Sequence, residues 1–305
     1  MPESLEPASS VLARDLTKRF GNNDGVQGLD LAIPRGGKFG LLGPNGAGKS
    51  TTLKMLMGIL RPDGGELTVL GQKNPADAPL LRARIGYVPE RHYIYRWMCV
   101  GEVIAFTRVF YPTWNDGLCN GLLTQYGLAR EKRVEQLSHG MTTKLALILA
   151  LSHEPELLIL DEPTTGLDPV IREEFLEGIL HPLVTRTDRT VIFSSHIMSD
   201  IEAVSDTIAI INEGSLIVCR SREELLGRTK RVVLTHDGSE VENCNTPNVL
   251  EVIQDDGRTV LTIADFESAQ LDKLRARPGV RSADLRDLSL EDVFKAYIRA
   301  DRGPR

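Results

Sequence analysis

One stretch constrains this chain more than any other: "LLGPNGAGKSTTLKML", which begins at Leu41. An apolar run stops at Gly43, and glycines and an asparagine lead directly into Lys49, Ser50 and Thr51. Gly43 to Ser50 has the form G-x-x-x-x-G-K-[ST]. A loop almost without side chains can curl its backbone N–H groups around a polyphosphate. A helix starting near Lys49 adds its positive N-terminal end. The pattern predicts a buried strand over "KFGLLG", a helix over "KSTTLKMLMGIL" and an α/β fold around them. On this reading Asn45, Gly46 and Gly48 wrap the phosphates, and Lys49 reaches the β- and γ-phosphates as a point charge. Ser50 ligates Mg²⁺ through its hydroxyl, and Thr51 bonds nearby phosphate oxygens. A glycine turn with a solvated lysine is the alternative.

Two further apolar runs of strand length, "ELLILDEP" and "TVIFSSH", each end in polar residues. Continuous apolar strands between helices indicate a parallel sheet covered on both faces. The carboxyl ends of such strands are where an α/β fold places its site. Asp161 and Glu162 stand at one of these ends. Buried charges need a partner, and a Mg²⁺–nucleotide supplies one. Asp161 then binds Mg²⁺ through water, and Glu162 polarises the attacking water as general base. A helix-capping acid beside a surface acid is the competing reading.

Ahead of the phosphate loop, "VLARDLTKRF" and "VQGLDLAIPRGG" predict strands of a β-rich edge, joined later by "ELTVLG". Met1 to Ser10 is polar and predicted to fray. An aromatic-rich stretch follows Glu90, and a helical insertion is predicted over about 91–154 within a main domain of 11–226. The remainder, 227–305, predicts a small α+β appendage: strands over "RVVLTHDG", "TVLTIADF" and "VRSADLRDLS", helices over "ESAQLDKLRARPG" and "LEDVFKAYIR". It holds no phosphate loop and no paired strand-end acids, so its expected role is to regulate or stabilise.

Composition narrows the function classes. The 305 residues are 41% hydrophobic with net charge −6, which argues against a general nucleic-acid binder. Cys99, Cys119, Cys219 and Cys244 are scattered and read as free thiols, and the six histidines form no ligand cluster with them. No apolar run reaches the roughly 18 residues of a membrane span, and the N-terminus lacks the form of a signal peptide. If the chain serves a membrane, it does so from the cytoplasm and through a partner.

Before the acidic strand lies "VEQLSHGMTTKLALILALSHEPELLILDEPTTGLDP". With this stretch, about Val11 to Glu224 resembles the ATP-binding subunits of ABC transporters. Their signature has the form L-S-G-G-Q; here it reads Leu137, Ser138, His139, Gly140, Met141. The resemblance implies that Ser138 donates to a γ-phosphate and that Gly140 lets the backbone approach closely. It also implies that the motif acts in trans, across a head-to-tail pair of subunits. His139 departs from the usual glycine. Phe20 stands where the family stacks an aromatic on adenine; a core phenylalanine near a strand end reads the same. Asp168 in "GLDP" matches the loop linking two ATP sites, and a plain turn competes. His196 matches the histidine that contacts the γ-phosphate and the attacking water. Glu90 replaces a glutamine that senses Mg²⁺, keeping acceptor and metal-binding capacity but no N–H.

The resemblance thus implies a P-loop NTPase of ABC ATPase type with a β-rich edge, a helical subdomain and an α+β appendage. It implies Mg-dependent ATP hydrolysis, a second ATP-binding subunit, identical or different, and a multi-span membrane permease, with no nucleic-acid partner. Glu90, "FYPTWND" and "LEDVF" are similar to bacterial exporters with ABC-2-type membrane subunits, of a subgroup linked to antibiotic resistance or acetoin. A soluble ABC ATPase of the ribosome or of DNA repair is the main alternative, but the chain has one phosphate loop, no charged linker and no sustained heptads. A kinase or GTPase sharing only the phosphate loop lacks a reason for the downstream motifs. In "ERHYIYRWM", Tyr93, Tyr95 and Trp97 alternate with Arg91, His92 and Arg96, so the segment cannot all be buried. It is expected to expose Tyr95 or Trp97 to the permease.

Overall fold

The computed structural model describes residues 9–21, 23–180, 189–237, 246–255 and 257–301. Residues 1–8 and Cys244 lie outside the described residues. The chain divides into two compact units, Met1–Leu216 and Ile217–Arg305, so the division falls ahead of the expected Leu226.

Among the described residues, the strands of the first unit fall into two sheets. Strands β1 (Ser9–Phe20) and β2 (Asn23–Pro34) form a long antiparallel pair. Two residues of the stretch expected to fray, Ser9 and Ser10, belong to β1: Ser10 is buried, and its hydroxyl lies 2.6 Å from Thr190 Oγ1. Strand β3 (Lys38–Leu42) leads into the phosphate loop, and helix α1 (Lys49–Leu56) leaves it. Helix α1 is shorter than the apolar pattern suggested. Met57 caps it and Gly58 turns to φ 65°, where a Cβ would sit 2.4 Å from Pro75 O. The left-handed turn ends the helix, and the lack of room for a Cβ makes glycine the residue that can take it.

Strands β4 (Gly64–Val69) and β5 (Gln72–Lys73) complete the first sheet, in the order β2-β1-β4-β5. Strand β6 (Ile85–Val88), then β7 (Leu157–Asp161), β8 (Thr190–Ser195) and β9 (Thr207–Asn212) join β3 in the order β9-β3-β8-β7-β6. Every neighbouring pair in that run is parallel. β7 and β8 are buried at every position, as continuous apolar strands in a doubly covered sheet must be. Leu53, Met55 and Leu56 of α1 share one core with Val11 and Leu16 of β1 and with Leu157 and Ile159 of β7.

Between β6 and β7 lie helices α2 (Val100–Arg108), α3 (Asp116–Gln125) and α4 (His139–Leu151). Each starts on a local cap. Glu102 accepts from Cys99 N–H at 2.7 Å, Asn115 from Leu118 N–H at 2.9 Å, and Ser138 from Met141 N–H at 3.3 Å. α4 is apolar almost all round and buries Leu145, Leu147, Ile148 and Leu151. Arg91 to Met98 contains no helix.

In the second unit, strands over Lys230–His236, Val249–Asp255, Arg258–Ile263 and Val280–Asp287 make an antiparallel sheet. Helices run over Ser268–Arg275 and Leu290–Asp301, and Val232, Leu234, Leu261, Ile263, Leu274 and Ala283 form the core. The edge strand Val249–Asp255 has no counterpart in the sequence reading. It is half-buried to exposed throughout, so it carries no run of core residues.

Candidate active site

The phosphate loop turns through two left-handed glycines, Gly46 at φ 82° and Gly48 at φ 99°. At Gly48 a Cβ would come within 2.4 Å of Gly25 O, so both the angle and the space exclude a side chain. Asn45, Gly46, Gly48, Lys49, Ser50 and Thr51 line one wall of a cleft of about 380 Å³. Glu90, Glu162, Thr165 and His196 line the other parts of it. These residues come from the ends of β3, β6, β7 and β8, as expected of a site at the carboxyl edge of a parallel sheet.

Glu162 is the centre of the arrangement. It is 6% exposed and holds a left-handed φ of 48°, a strained angle for a side-chain-bearing residue. Its N–H donates to Ser194 O at 3.1 Å and Ser194 Oγ at 3.0 Å, which fixes that turn. Its Oε2 lies 2.7 Å from His196 Nδ1 and accepts from Thr165 Oγ1 at 3.3 Å. Its Oε1 lies 3.1 Å from Lys49 Nζ, while Lys49 donates its hydrogen bonds to Gly43 O at 2.7 Å and Pro44 O at 3.2 Å. Oε1 is thus ion-paired to Lys49, but no contact to it among the described residues has the geometry of a hydrogen bond.

Asp161, one residue back, accepts from Ser194 Oγ at 2.8 Å and Ser50 Oγ at 3.1 Å, with Tyr87 OH at 3.4 Å. Burial pushes its carboxyl upward, the two serine hydroxyls pull it down, and the charges of Glu162 and Glu90 push it up again. Burial and then the charge of Asp161 raise Tyr87 in turn. A hard divalent cation answers this imbalance, and the Ser50 and Asp161 oxygens fit one. Among the described residues no three His, Cys, Asp or Glu side chains gather as a metal site, so a Mg²⁺ here would draw further oxygens from nucleotide and water.

Phe20 is not a core residue. It is 48% exposed, with Lys18 Nζ 5.8 Å from its ring centre. Its ring sits so close to Gly25, a cleft residue, that a Cβ there would lie 2.8 Å from it. Ser138, Gly140 and Asp168 do not line the cleft. Ser138 caps α4 and Asp168 caps Pro169–Glu173, accepting from Ile171 N–H at 3.0 Å; both are exposed. His92, grouped with the exposed segment by its sequence, turns inward: its Nε2 lies 3.0 Å from Thr143 Oγ1. Burial first, and then His139, lowers it to about 4.

The sequence reading did not single out Thr165, Ser194 or Asp200. Asp200 is fully buried, accepts from Thr164 Oγ1 and Arg172 Nε, and so ties the loop after β7 to the helix after His196. Thr165 stands in the quoted "DEPTTGLDP", and its hydroxyl was the available signal. Asp200 reads as an ordinary acid on a helix and gave none.

Strand-end chemistry of this kind defines a P-loop nucleotide hydrolase, and comparison with known proteins narrows the class. Residues 26–165 match the ABC transporter family. Nod factor export ATP-binding protein I of Rhizobium etli is 36% identical over 292 residues, covering 92% of this chain and 90% of that protein. Linearmycin resistance ATP-binding protein LnrL of Bacillus subtilis is 35% identical over 226 residues, covering 71% and 70%. A solved ATP-binding subunit of an ABC transporter superposes with a TM-score of 0.64 at 25% identity, over 71% of this chain and 92% of that one. The chain belongs to the ATP-binding subunits of ABC transporters. It is an ATPase of the ABC fold. No helix among the described residues is long and apolar enough to cross a membrane.

Proposed function

We propose that the chain binds Mg·ATP in the 380 Å³ cleft, pairs head to tail with a second ATP-binding subunit and drives a multi-span permease that exports its cargo. The second subunit is either an identical chain or a different one. One observation carries the reading: Glu162 is buried between Lys49 and His196, and among the described residues its Oε1 meets Lys49 as an ion pair but no hydrogen bond. A carboxylate so placed suits a general base.

In hydrolysis the water oxygen bonds to the γ-phosphorus as the bond to the β–γ bridging oxygen breaks, and the water proton passes to Glu162. His196 and Thr165 hold Oε2, which leaves Oε1 for the water. Lys49 and the loop N–H groups take the phosphate charge. Ser50 and Asp161, with Glu90 at the cleft edge, would hold Mg²⁺, which when bound neutralises phosphate charge. Phe20 stacks on adenine beside Gly25. Ser138, Gly140 and Asp168 serve the facing subunit, in keeping with the exposed positions of Ser138 and Asp168.

Export is supported by the names of relatives, Nod factor export and linearmycin resistance. The permease contact falls on the aromatic face. Tyr93 is 89%, Tyr95 55% and Trp97 63% exposed, and Tyr95 touches Phe106 with ring centres 5.9 Å apart. Open aromatic clusters mark interaction surfaces. The protein then sits on the cytoplasmic face of the membrane through its permease, and the 227–305 appendage regulates or stabilises the pair.

Glu162→Gln tests the assignment. It keeps the shape and removes the base, so turnover should fall by roughly 10²–10⁴-fold while ATP still binds. Size-exclusion chromatography with ATP should then show a trapped dimer. Hydrolysis at the parent rate would remove Glu162 as the base.

A further inference from the structure

We propose that His139 is a positioning residue that seats Thr165 against Glu162 within its own subunit. The inference rests on the reading of Glu162 as the base. His139 opens α4, and its Nε2 lies 2.9 Å from Thr165 O. A carbonyl oxygen only accepts, so Nε2 carries the proton and donates. Thr165 in turn lines the cleft and gives its hydroxyl to Glu162 Oε2 at 3.3 Å. A short chain of contacts therefore runs from the first turn of α4 to the buried carboxylate.

Two neighbours fix the imidazole. The His92 ring stacks on it at 6.0 Å with 24° between planes, and His92 is itself held by Thr143. On the loop side the next residue is Gly166, at φ 78°; a Cβ there would lie 3.3 Å from His139 Nε2. A side chain at 166 would crowd the ring, so the glycine and the histidine fit as a pair. The rest of the loop is anchored elsewhere: Thr164 and Arg172 both bond the buried Asp200. Those anchors hold the two ends of the segment 164–172. Neither reaches the Thr165 carbonyl, which His139 holds. Thr165 N–H is held by Glu162 O at 3.1 Å and Leu167 N–H by Thr164 O at 3.1 Å, so what His139 alone restrains is the 165–166 peptide between them. Without that bond this peptide can flip, and the Thr165 hydroxyl can leave Oε2 for water.

A glycine at 139 could not make this bond, so the chain has a tether that its family signature lacks. The consequence is kinetic. Seating Thr165 acts on the carboxylate rather than on the nucleotide, so its loss should lower kcat and leave KM for ATP nearly unchanged.

The test uses the full chain with His139→Ala and His139→Gln. The alanine variant should lose about three- to tenfold in kcat, the worth of one hydrogen bond, with KM within about twofold. The glutamine variant keeps an N–H donor and should recover most of the loss. Adding His139→Ala to Thr165→Val should cost nothing more, because both remove the same chain of contacts. Amide hydrogen exchange followed by mass spectrometry gives a readout independent of turnover. Residues 165–168 should exchange faster in the alanine variant than in the parent or the glutamine variant. A raised KM with unchanged kcat, additive losses in the double variant, or unaltered exchange would each overturn the proposal. Should Glu162→Gln hydrolyse ATP at the parent rate, the base reading fails by itself, while the exchange data still report on the tether.

Discussion

At the Lys49–Glu162 pair in the cleft, charge is buried and answered by charge. Lys49 and Glu162 are 5% and 7% exposed in their side chains and lie 3.1 Å apart. On the face formed by Tyr95, Trp97, Phe106 and Phe110 the rule is reversed. There apolar rings stand open to solvent and touch one another, at 5.9 Å from Tyr95 to Trp97 and 5.4 Å from Phe106 to Phe110. A buried ion pair tolerates one arrangement, since removing either partner strands the other. An open aromatic cluster has no such demand and leaves apolar area for a partner to cover. The Lys49–Glu162 pair is thus complete within the chain, whereas the aromatic face leaves its area for a partner.

Lys49→Ala should disturb the cleft most severely. Glu162 would keep its burial and lose its cation, and the phosphates would lose a positive contact. Turnover should fall by about 10²–10³-fold, with a loss of ATP affinity as well. The variant should also unfold more easily, because a stranded buried charge costs about 3–5 kcal/mol. Phosphate release, nucleotide titration and thermal melting measure the three effects separately. Parent-level turnover would mean that this cleft is not where ATP reacts.

The aromatic face should respond in the opposite sense. Trp97→Ala removes a ring that is 63% exposed, so folding and basal ATPase activity should change little, the latter by less than about twofold. Binding to the permease should weaken by about 2–4 kcal/mol if the ring is an anchor. Transport in cells carrying the cognate permease, set against ATPase activity of the purified chain, gives the comparison. Equal loss of both would put Trp97 in the catalytic fold, not at a docking surface.

How much of this was legible depends on what each region had to do. The phosphate loop could be read because backbone geometry forces glycine at Gly48, where Gly25 O leaves no room for a Cβ. β7 and β8 could be read because burial on both faces forces continuous apolar runs. The end of α1 could not, because Gly58 stops it against Pro75, a contact from a later segment. The inward turn of His92 was hidden for the same reason: its partner Thr143 lies in α4, far along the chain. Asp200 was invisible because a buried acid on a helix looks like a solvated one until Arg172 and Thr164 are placed beside it. Signals set by one residue's own backbone or by a strand's own burial survive in sequence. Signals set by a distant contact do not.

A smaller effect separates the two regions by pH. The cleft pairs Lys49 with Glu162, whereas in the helical region burial keeps the imidazoles of His92 and His153 neutral. His153 is 1% exposed and stacks on Tyr111 at 4.0 Å with 17° between planes. Burial lowers it from an ordinary 6.5 to about 4. Between those values the unfolded chain takes up the proton and the folded chain does not. Stability is therefore complete above about 6.5 and is lost progressively as pH falls toward 4. The full span is worth on the order of 3 kcal/mol for such a shift. His153→Phe keeps an aromatic ring against Tyr111 and removes the titrating group. Urea unfolding between pH 7 and 4 should show a shallower loss of stability in the variant than in the parent, by about 1–3 kcal/mol at the acid end. Superimposable pH profiles would place the acid sensitivity in other groups, and would erase the distinction between a region that buries charge and one that refuses it.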